Sequence, residues 1–490
     1  MTTIKDIFFR NNNNGVVLST FSSDYSANDI KLSMENYLNI LQHEDLAGKR
    51  IGLLIPHIYS YLSLVLAINE LGGTIVPLSS QFRKEDLTAV LESLNPHYVF
   101  TVDEADGFSY IEVFANWAEQ SGENTKVFRT NDYTNWHHEH YSGTNRPLQE
   151  EKMDFICCSS GSTGVPKGIV VSADTLKFSL EFIMKVNKIQ PKDRVFLNAP
   201  PNSVFGICAL LSGIYSGAQI VFPDRYDLPG IVNLMEEKTC NKILSTPSIF
   251  KSIYQVANVL KPQVLKNLEI VSLTGEMMTN GFVDQFSNMD NCEFIGMYGS
   301  SEIGGAMYCD LRVEIEFTVD EAIQFKVIDN ELLLKSPAAF SHYYQNPELT
   351  NEAFDSEGWL LTGDLVSQTE SKKISIIGRK KDMIKKGGQQ VIPGEIERVL
   401  MNHQHVRQAV VIGVPHQVFG EQIVAYVVMG RNENLQELYR FCQKQIARYK
   451  VPDYIEEVSE IPLVQGKADK LTLRKMFIQR LEGGKSNEKK

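Results

Sequence analysis

The sequence predicts an α/β fold: a large N-terminal domain of layered β-sheets with helices, then a small C-terminal α+β domain. Three observations carry this. A chain of 490 residues is longer than one hydrophobic core usually serves, so at least two domains are expected. Up to about residue 300 the chain alternates short apolar runs with helical patterns, the signature of strands crossing over to parallel neighbours through helices. A charged, glycine-ended passage at 380–388 (KKDMIKKGG) then precedes a shorter block with its own helices and strands, as a hinge between domains does. The division is therefore placed between 1–380 and 381–490.

The elements follow in order. Asn14-Gly15 suggests a hairpin turn ahead of the apolar Val16-Val17-Leu18. Residues 50–56 (RIGLLIP) read as a buried strand, 60–71 as an apolar helix and 74–78 as a second strand; the helix 83–94 and strand 98–102 repeat the unit. The polar segment 131–151 lacks a hydrophobic period and reads as a surface connection. Its His137, His138, Glu139 and His140 do not place two ligands on one helical turn as HExxH does, so no metal site is expected. Beyond it come a strand at 155–158, a glycine-rich loop, a strand at 168–172 and a helix at 173–186. Further strands are expected at 194–199, 219–222, 242–245 and 268–274, with a helix at 207–215 and another capped by the hydroxyls of 246–248. The later block has a strand at 374–379, a helix from 393, strands at 408–412 and 423–429, and a helix at 435–446. A final helix leads into a charged tail, 482–490, expected to be disordered.

Composition narrows the function classes. A net charge of −12 argues against a nucleic-acid or anionic-membrane surface, so any nucleotide pocket must be locally positive. Seven cysteines without CxxC spacing suggest reduced thiols in a cytosolic protein. The N-terminus lacks the pattern of a secretory signal, and the most apolar window, 61–78, is broken by Asn69, Glu70, Gly72 and Gly73. No transmembrane segment, and no integral membrane contact, is expected.

Chemistry concentrates in a few stretches. Residues 157–168 (CCSSGSTGVPKG) combine glycines that let backbone approach an anion, hydroxyl donors, and the full charge of Lys167: a phosphate-handling loop. It is not a Walker loop, because five residues beyond Gly161 stands Pro166 and the lysine is followed by Gly168. Residues 294–302 (FIGMYGSSE) put Tyr298, Ser300, Ser301 and Glu302 at a strand's end, where open α/β sheets bind ligands. A carboxylate beside phosphates requires a divalent ion between them, which makes Glu302 a natural Mg²⁺ ligand if ATP binds here. Asp364, just after the Gly363 turn, is the type of acceptor that ribose hydroxyls need.

Five motifs in this order, SSGSTGVPKG, YGSSE, GWLLTGD, GRKKDMIKKGG with PGEIE, and the late loop 462–467, resemble the adenylate-forming superfamily of acyl- and aryl-CoA synthetases, luciferases and nonribosomal adenylation domains; the resemblance runs from about residue 51 to 474. It implies an ATP- and Mg²⁺-dependent ligase that joins a small-molecule carboxylic acid to AMP and passes the acyl group to a thiol. On that resemblance Ser159, Ser160, Gly161, Ser162, Thr163, Gly164 and Lys167 handle the ATP phosphates, with Thr163 counted among the catalytic groups. Tyr298 faces adenine with Ser300 and Ser301 beside it, Glu302 holds Mg²⁺, and Asp364 and Arg379 hold the ribose. Lys381 is the hinge of a mobile C-terminal domain, Gly387 and Gly388 face the incoming thiol, and Lys467 drives adenylation. The acid pocket is expected around Ser203, Val204, Gly275 and Met297.

Departures from the family pattern refine the expectation. Ser203 stands where acyl-CoA synthetases often carry histidine, and Pro201, Asn202 and Ser203 offer no aspartate for a substrate ammonium, which disfavours an α-amino acid over an aryl or aliphatic one. Ser300 keeps the hydroxyl of the usual threonine. The segment 466–470 (GKADK) resembles enzymes that load carrier proteins, with Lys470 as a second candidate lysine, whereas KKGGQQVIPGEIE resembles the CoA synthetases. CoA is the favoured acceptor, and the phosphopantetheine of a separate acyl carrier protein the alternative.

Overall fold

The computed structural model describes residues 2–11, 15–148, 151, 153–159, 166–276, 278, 281–313, 315–368, 373–430, 434–464 and 467–487. Among them two large sheets form the N-terminal domain. One runs, in spatial order, Lys167–Val171, Phe155–Ser159, Thr74–Pro77, Arg50–Leu54, Tyr98–Val102, Thr125–Thr130 and His137–Tyr141, parallel except at its two ends. The other has a parallel centre, Glu293–Ser300, Ile270–Leu273, Lys242–Ser245, Arg194–Leu197, Gln219–Val221 and Val16–Ser19, with antiparallel strands at either side.

The helices Ile58–Glu70, Ala173–Val186 and Val204–Ser216 lie between these sheets. Leu64, Leu66, Leu176, Leu180 and Leu210 share one core with Ile51 and Phe155 of one sheet and Val195, Ile243 and Val271 of the other. This sandwiching explains two helices that are apolar almost all round, since an element covered on both faces has no polar side to present. Lys84–Leu94 and Tyr110–Ser121 cover the outer face of the first sheet, where Val90, Leu91 and Phe114 pack on Val99 and Val127.

A four-stranded antiparallel sheet, Gln324–Ile328, Glu331–Lys335, Leu360–Gln368 and Ile374–Arg379, leads to the C-terminal domain. That domain is built on the long hairpin Val406–His416 and Gly420–Met429. Pro393–Met401 and Leu435–Gln445 cover one face through Ile396, Leu400, Leu438 and Cys442; Lys470–Asn487 covers the other through Leu473 and Phe477. The expected α/β layering with a smaller α+β domain is thus present.

Three local expectations are corrected. The polar stretch 131–151 contains the strand His137–Tyr141, paired antiparallel with Thr125–Thr130. An edge strand exposed on nearly every residue has no apolar alternation to betray it. Among the described residues no group of three or more His, Cys, Asp or Glu is placed so that it could hold a metal ion. The passage 380–388 is more than a linker: after the 3₁₀ turn Lys380–Asp382 it becomes one arm of the hairpin Ile384–Lys386 and Gln389–Val391, joined to the C-terminal sheet at Lys386 and Gly420. The final helix runs on through the expected disordered tail as far as Asn487. Among the described residues no helix is long and apolar enough to cross a membrane.

Candidate active site

The parallel strands Lys242–Ser245 and Ile270–Leu273 end side by side and Glu293–Ser300 runs on past them from Gly296, at the edge where an open α/β sheet offers its ligand crevice. Gly275, just past the second strand, has φ 90°, a backbone region that L side chains rarely adopt. Thr274 Oγ1 donates to the Met297 carbonyl at 2.8 Å and fixes the spacing of the second and third strand ends.

Tyr298 leaves the third strand towards the small antiparallel sheet. Its hydroxyl donates to Asp364 Oδ2 at 2.5 Å while Arg379 Nε donates to Asp364 Oδ1 at 2.6 Å. Asp364 and Arg379 face each other across Leu360–Gln368 and Ile374–Arg379, so the ion pair is fixed by strand register. Asp364 is only 3% exposed. Burial, and after it the Asp364 charge, pushes the Tyr298 phenol well above its ordinary range, so the hydroxyl remains a donor. Tyr298, Asp364 and Arg379, expected from separate motifs, are therefore one cluster. Glu331, which no motif singled out, supports it: Oε1 accepts from the Gly363 N–H at 3.1 Å and Oε2 pairs with Lys380 at 2.5 Å.

Glu302 lies one turn beyond Tyr298. Ser300 Oγ accepts the Glu302 N–H at 3.2 Å, while Ser301 is half-buried in the same turn. This hairpin is tight. A Cβ on Gly299 would lie 2.1 Å from the Gly304 carbonyl oxygen, so Gly299→Ala must push two backbones apart. A loss of about 1–3 kcal/mol is expected from such overpacking. Urea unfolding of the variant checks it; an unchanged midpoint would show that the hairpin yields freely.

Lys167 opens the strand Lys167–Val171, paired with Ser159 across the hairpin that the glycine-rich loop closes. Ser160, Gly161, Ser162, Thr163 and Gly164 lie outside the described residues, and of Ser159 only the backbone is described. One neighbour of Lys167 was not foreseen. Residues 340–344 run antiparallel to this strand: Ser341 N donates to Val170 O at 3.1 Å, Val170 N to His342 O at 3.1 Å and Tyr344 N to Gly168 O at 2.8 Å. The same segment reaches the other sheet, where Phe340 N donates to the Glu302 carbonyl at 2.8 Å. Tyr343 consequently stands between the sheets, with Lys167 Nζ 5.4 Å from its ring centroid and its hydroxyl 3.0 Å from Glu302 Oε1.

The expected pocket residues are placed unevenly. Ser203 caps the helix Val204–Ser216: its Oγ accepts the Gly206 N–H at 3.0 Å and donates to the Pro200 carbonyl at 3.1 Å. Tyr61 holds the same loop through the Pro201 carbonyl at 2.8 Å. Val204 is buried, and Met297 packs inward, its Sδ accepting from Asn187 Nδ2 at 3.4 Å. Cys158, half-buried just before the glycine-rich loop, has its thiol pushed up to about 12 by desolvation, which leaves it unreactive at neutral pH.

In the C-terminal domain Lys381 is exposed, and Gly387 and Gly388 form the hairpin turn with φ 57° and 80°. Lys467 lies in the short strand Lys467–Ala468, paired with Leu463–Val464; its side chain is outside what is described. Lys470, the second candidate lysine, is engaged: its Nζ lies 2.6 Å from Asp382 Oδ2 in the turn that contains Lys381.

Comparison with known proteins agrees with this architecture. The family model "AMP-binding enzyme" matches residues 25–338 and "AMP-binding enzyme C-terminal domain" residues 395–466. The chain is 27% identical over 357 residues to the medium-chain fatty-acid–CoA ligase of Escherichia coli (strain K12), a match covering 68% of this chain but only 62% of that one. It is 25% identical over 461 residues to the long-chain-fatty-acid–CoA ligase FadD13 of Mycobacterium tuberculosis (strain ATCC 25618 / H37Rv), covering 88% of each. ATP-bound MatB from Rhodopseudomonas palustris superimposes with a TM-score of 0.83 at 21% identity, over 96% of this chain and 98% of that one, a likeness of fold. With one family model spanning well over half of its length, the chain belongs to the AMP-binding enzyme family.

Proposed function

We propose that the chain is an ATP-dependent carboxylic acid ligase that forms an acyl or aryl adenylate, releases pyrophosphate and transfers the acyl group to the thiol of CoA. The observation that carries this is the convergence of two polar clusters at one strand edge: Tyr298–Asp364–Arg379, suited to a nucleoside, and Lys167–Tyr343–Glu302, suited to phosphates. CoA ligases among the relatives support the thiol acceptor.

Each residue then has a task. Asp364, held in place by Tyr298 and Arg379, is assigned to accept from the ribose hydroxyls. Lys167 and the loop 159–164 receive the phosphates. Glu302 suits a hard divalent cation: Oε1 is occupied by Tyr343, whereas Oε2 has no hydrogen bond or ion pair among the described residues. Bound there, Mg²⁺ would neutralise phosphate charge. Attack by a carboxylate on the α-phosphorus brings two anions together, and fixed cations lower that barrier; Lys467 is assigned this role. Lys470 is not, because Asp382 holds it at the hinge. Rotation of the C-terminal domain about Lys381 would withdraw Lys467 and present Gly387 and Gly388 to the thiol, a domain closure of the hinge type.

An aryl or aliphatic acid fits better than an amino acid, since Asn202 and Ser203 supply no carboxylate for an ammonium group. The alternative acceptor, a carrier-protein phosphopantetheine, is favoured by the residues 466–470. Supplying the chain with ATP, Mg²⁺, an acid, and either CoA or a phosphopantetheinylated carrier separates the two. Mass detection of acyl-CoA supports the first reading; acylation of the carrier alone replaces it with the second.

A further inference from the structure

We propose, resting on the nucleotide reading above, that Tyr343 is a positioning residue that restricts Glu302 to one metal-facing oxygen and sets Lys167 beside it. The argument begins with topology. Residues 340–344 form the one described stretch that hydrogen-bonds to both the strand Lys167–Val171 and the turn of Glu302, so Tyr343 bridges the two large sheets where they meet the candidate phosphate site. Tyr343 is 7% exposed and its ring lies edge-on to Phe340, with centroids 4.7 Å apart, which fixes its rotamer.

Two contacts then follow from one ring. The phenol donates to Glu302 Oε1 at 3.0 Å, and Lys167 Nζ sits 5.4 Å from the centroid, within the range of a cation–π contact. With Oε1 occupied, Glu302 has Oε2 left as ligand. A monodentate carboxylate suits Mg²⁺ and Mn²⁺, which demand octahedral geometry, and disfavours Ca²⁺, which readily takes both oxygens of a carboxylate. The ring likewise keeps the Lys167 ammonium near Glu302 without a direct ion pair between them, leaving the cation for phosphate oxygens. Tyr343 thus holds apart two groups whose mutual attraction would otherwise quench both.

The test is metal binding rather than turnover. Mn²⁺ is titrated by electron paramagnetic resonance into the full chain in the presence of α,β-methylene-ATP, then displaced with Ca²⁺, for wild type and Tyr343→Phe. The variant keeps the ring and its contacts with Phe340 and Lys167. The expected result is Mn²⁺ affinity weakened roughly tenfold, the scale of losing a ligand's outer hydrogen bond, with Ca²⁺ becoming the relatively better competitor and the melting temperature nearly unchanged. Unaltered Mn²⁺ affinity and Ca²⁺ competition in a folded Tyr343→Phe would overturn the proposal. The wild type provides an arm that needs no variant: it should prefer Mn²⁺ to Ca²⁺, and equal or tighter Ca²⁺ binding contradicts a one-oxygen Glu302. If the wild type binds no Mn²⁺ with the analogue, the nucleotide reading itself fails, an outcome distinct from a silent Tyr343→Phe.

Discussion

Lys467→Ala is expected to lower carboxylate-dependent adenylation by roughly 10²–10³-fold, the scale of deleting one preorganised group that stabilises transition-state charge. The loss should fall on kcat rather than on the KM for ATP, because the nucleoside contacts assigned to Tyr298, Asp364 and Arg379 belong to the N-terminal domain. Thioester formation from a supplied acyl adenylate should remain within a few-fold of wild type. That asymmetry is the informative part. If the C-terminal domain serves both half-reactions by rotating about Lys381, the lysine acts in one orientation only; equal loss of both half-reactions would refute the two-orientation account. Lys470→Ala provides the contrast. Its ammonium is paired with Asp382, so its removal should weaken the contact between the last helix and the hinge turn while leaving the chemistry of adenylation in place.

Asp364→Ala should raise the KM for ATP by roughly 10–100-fold, the equivalent of losing one or two charge-assisted hydrogen bonds. The KM for the acid should change far less. The substitution also takes from the half-buried Tyr298 phenol its Asp364 acceptor, and frees the Arg379 guanidinium from the register-fixed pair. Some loss of thermal stability is therefore expected alongside the kinetic effect. Asp364→Asn keeps the shape and one acceptor oxygen, and should fall between wild type and alanine. Steady-state kinetics with each substrate varied in turn checks this: parallel increases in both KM values would mean that Asp364 supports the fold rather than the nucleotide.

Much of the fold was legible in the sequence because its central strands are buried on both faces. Residues 98–102 (YVFTV) and 50–54 (RIGLL) are short apolar runs between helical patterns, and they form the strands Tyr98–Val102 and Arg50–Leu54. The motif residues were legible for a chemical reason: a carboxylate after a glycine turn, or hydroxyls packed with a lysine, is a costly composition for a plain turn. What those motifs could not reveal was their meeting. Tyr298 and Asp364 share a hydrogen bond only because a strand end and a separate antiparallel sheet abut, a tertiary fact. Tyr343 was invisible for the same reason: its importance comes from residues 340–344 pairing with Lys167–Val171, far away in the chain, and a tyrosine in an otherwise ordinary stretch carries no local signal. Glu331 is a similar case, acting through Gly363 and Lys380 from the neighbouring strand. The edge strand His137–Tyr141 escaped because exposure erased the periodicity on which strand reading depends.

The central claim is adenylation of a carboxylic acid, and the most direct measurement is acid-dependent exchange of labelled pyrophosphate into ATP. A panel of aryl, short, medium and long acids is offered with Mg²⁺, in wild type and Lys467→Ala. The account predicts exchange that requires one class of acid, needs the divalent ion and collapses in the variant. Exchange that ignores the acid, or survives intact in Lys467→Ala, would contradict it.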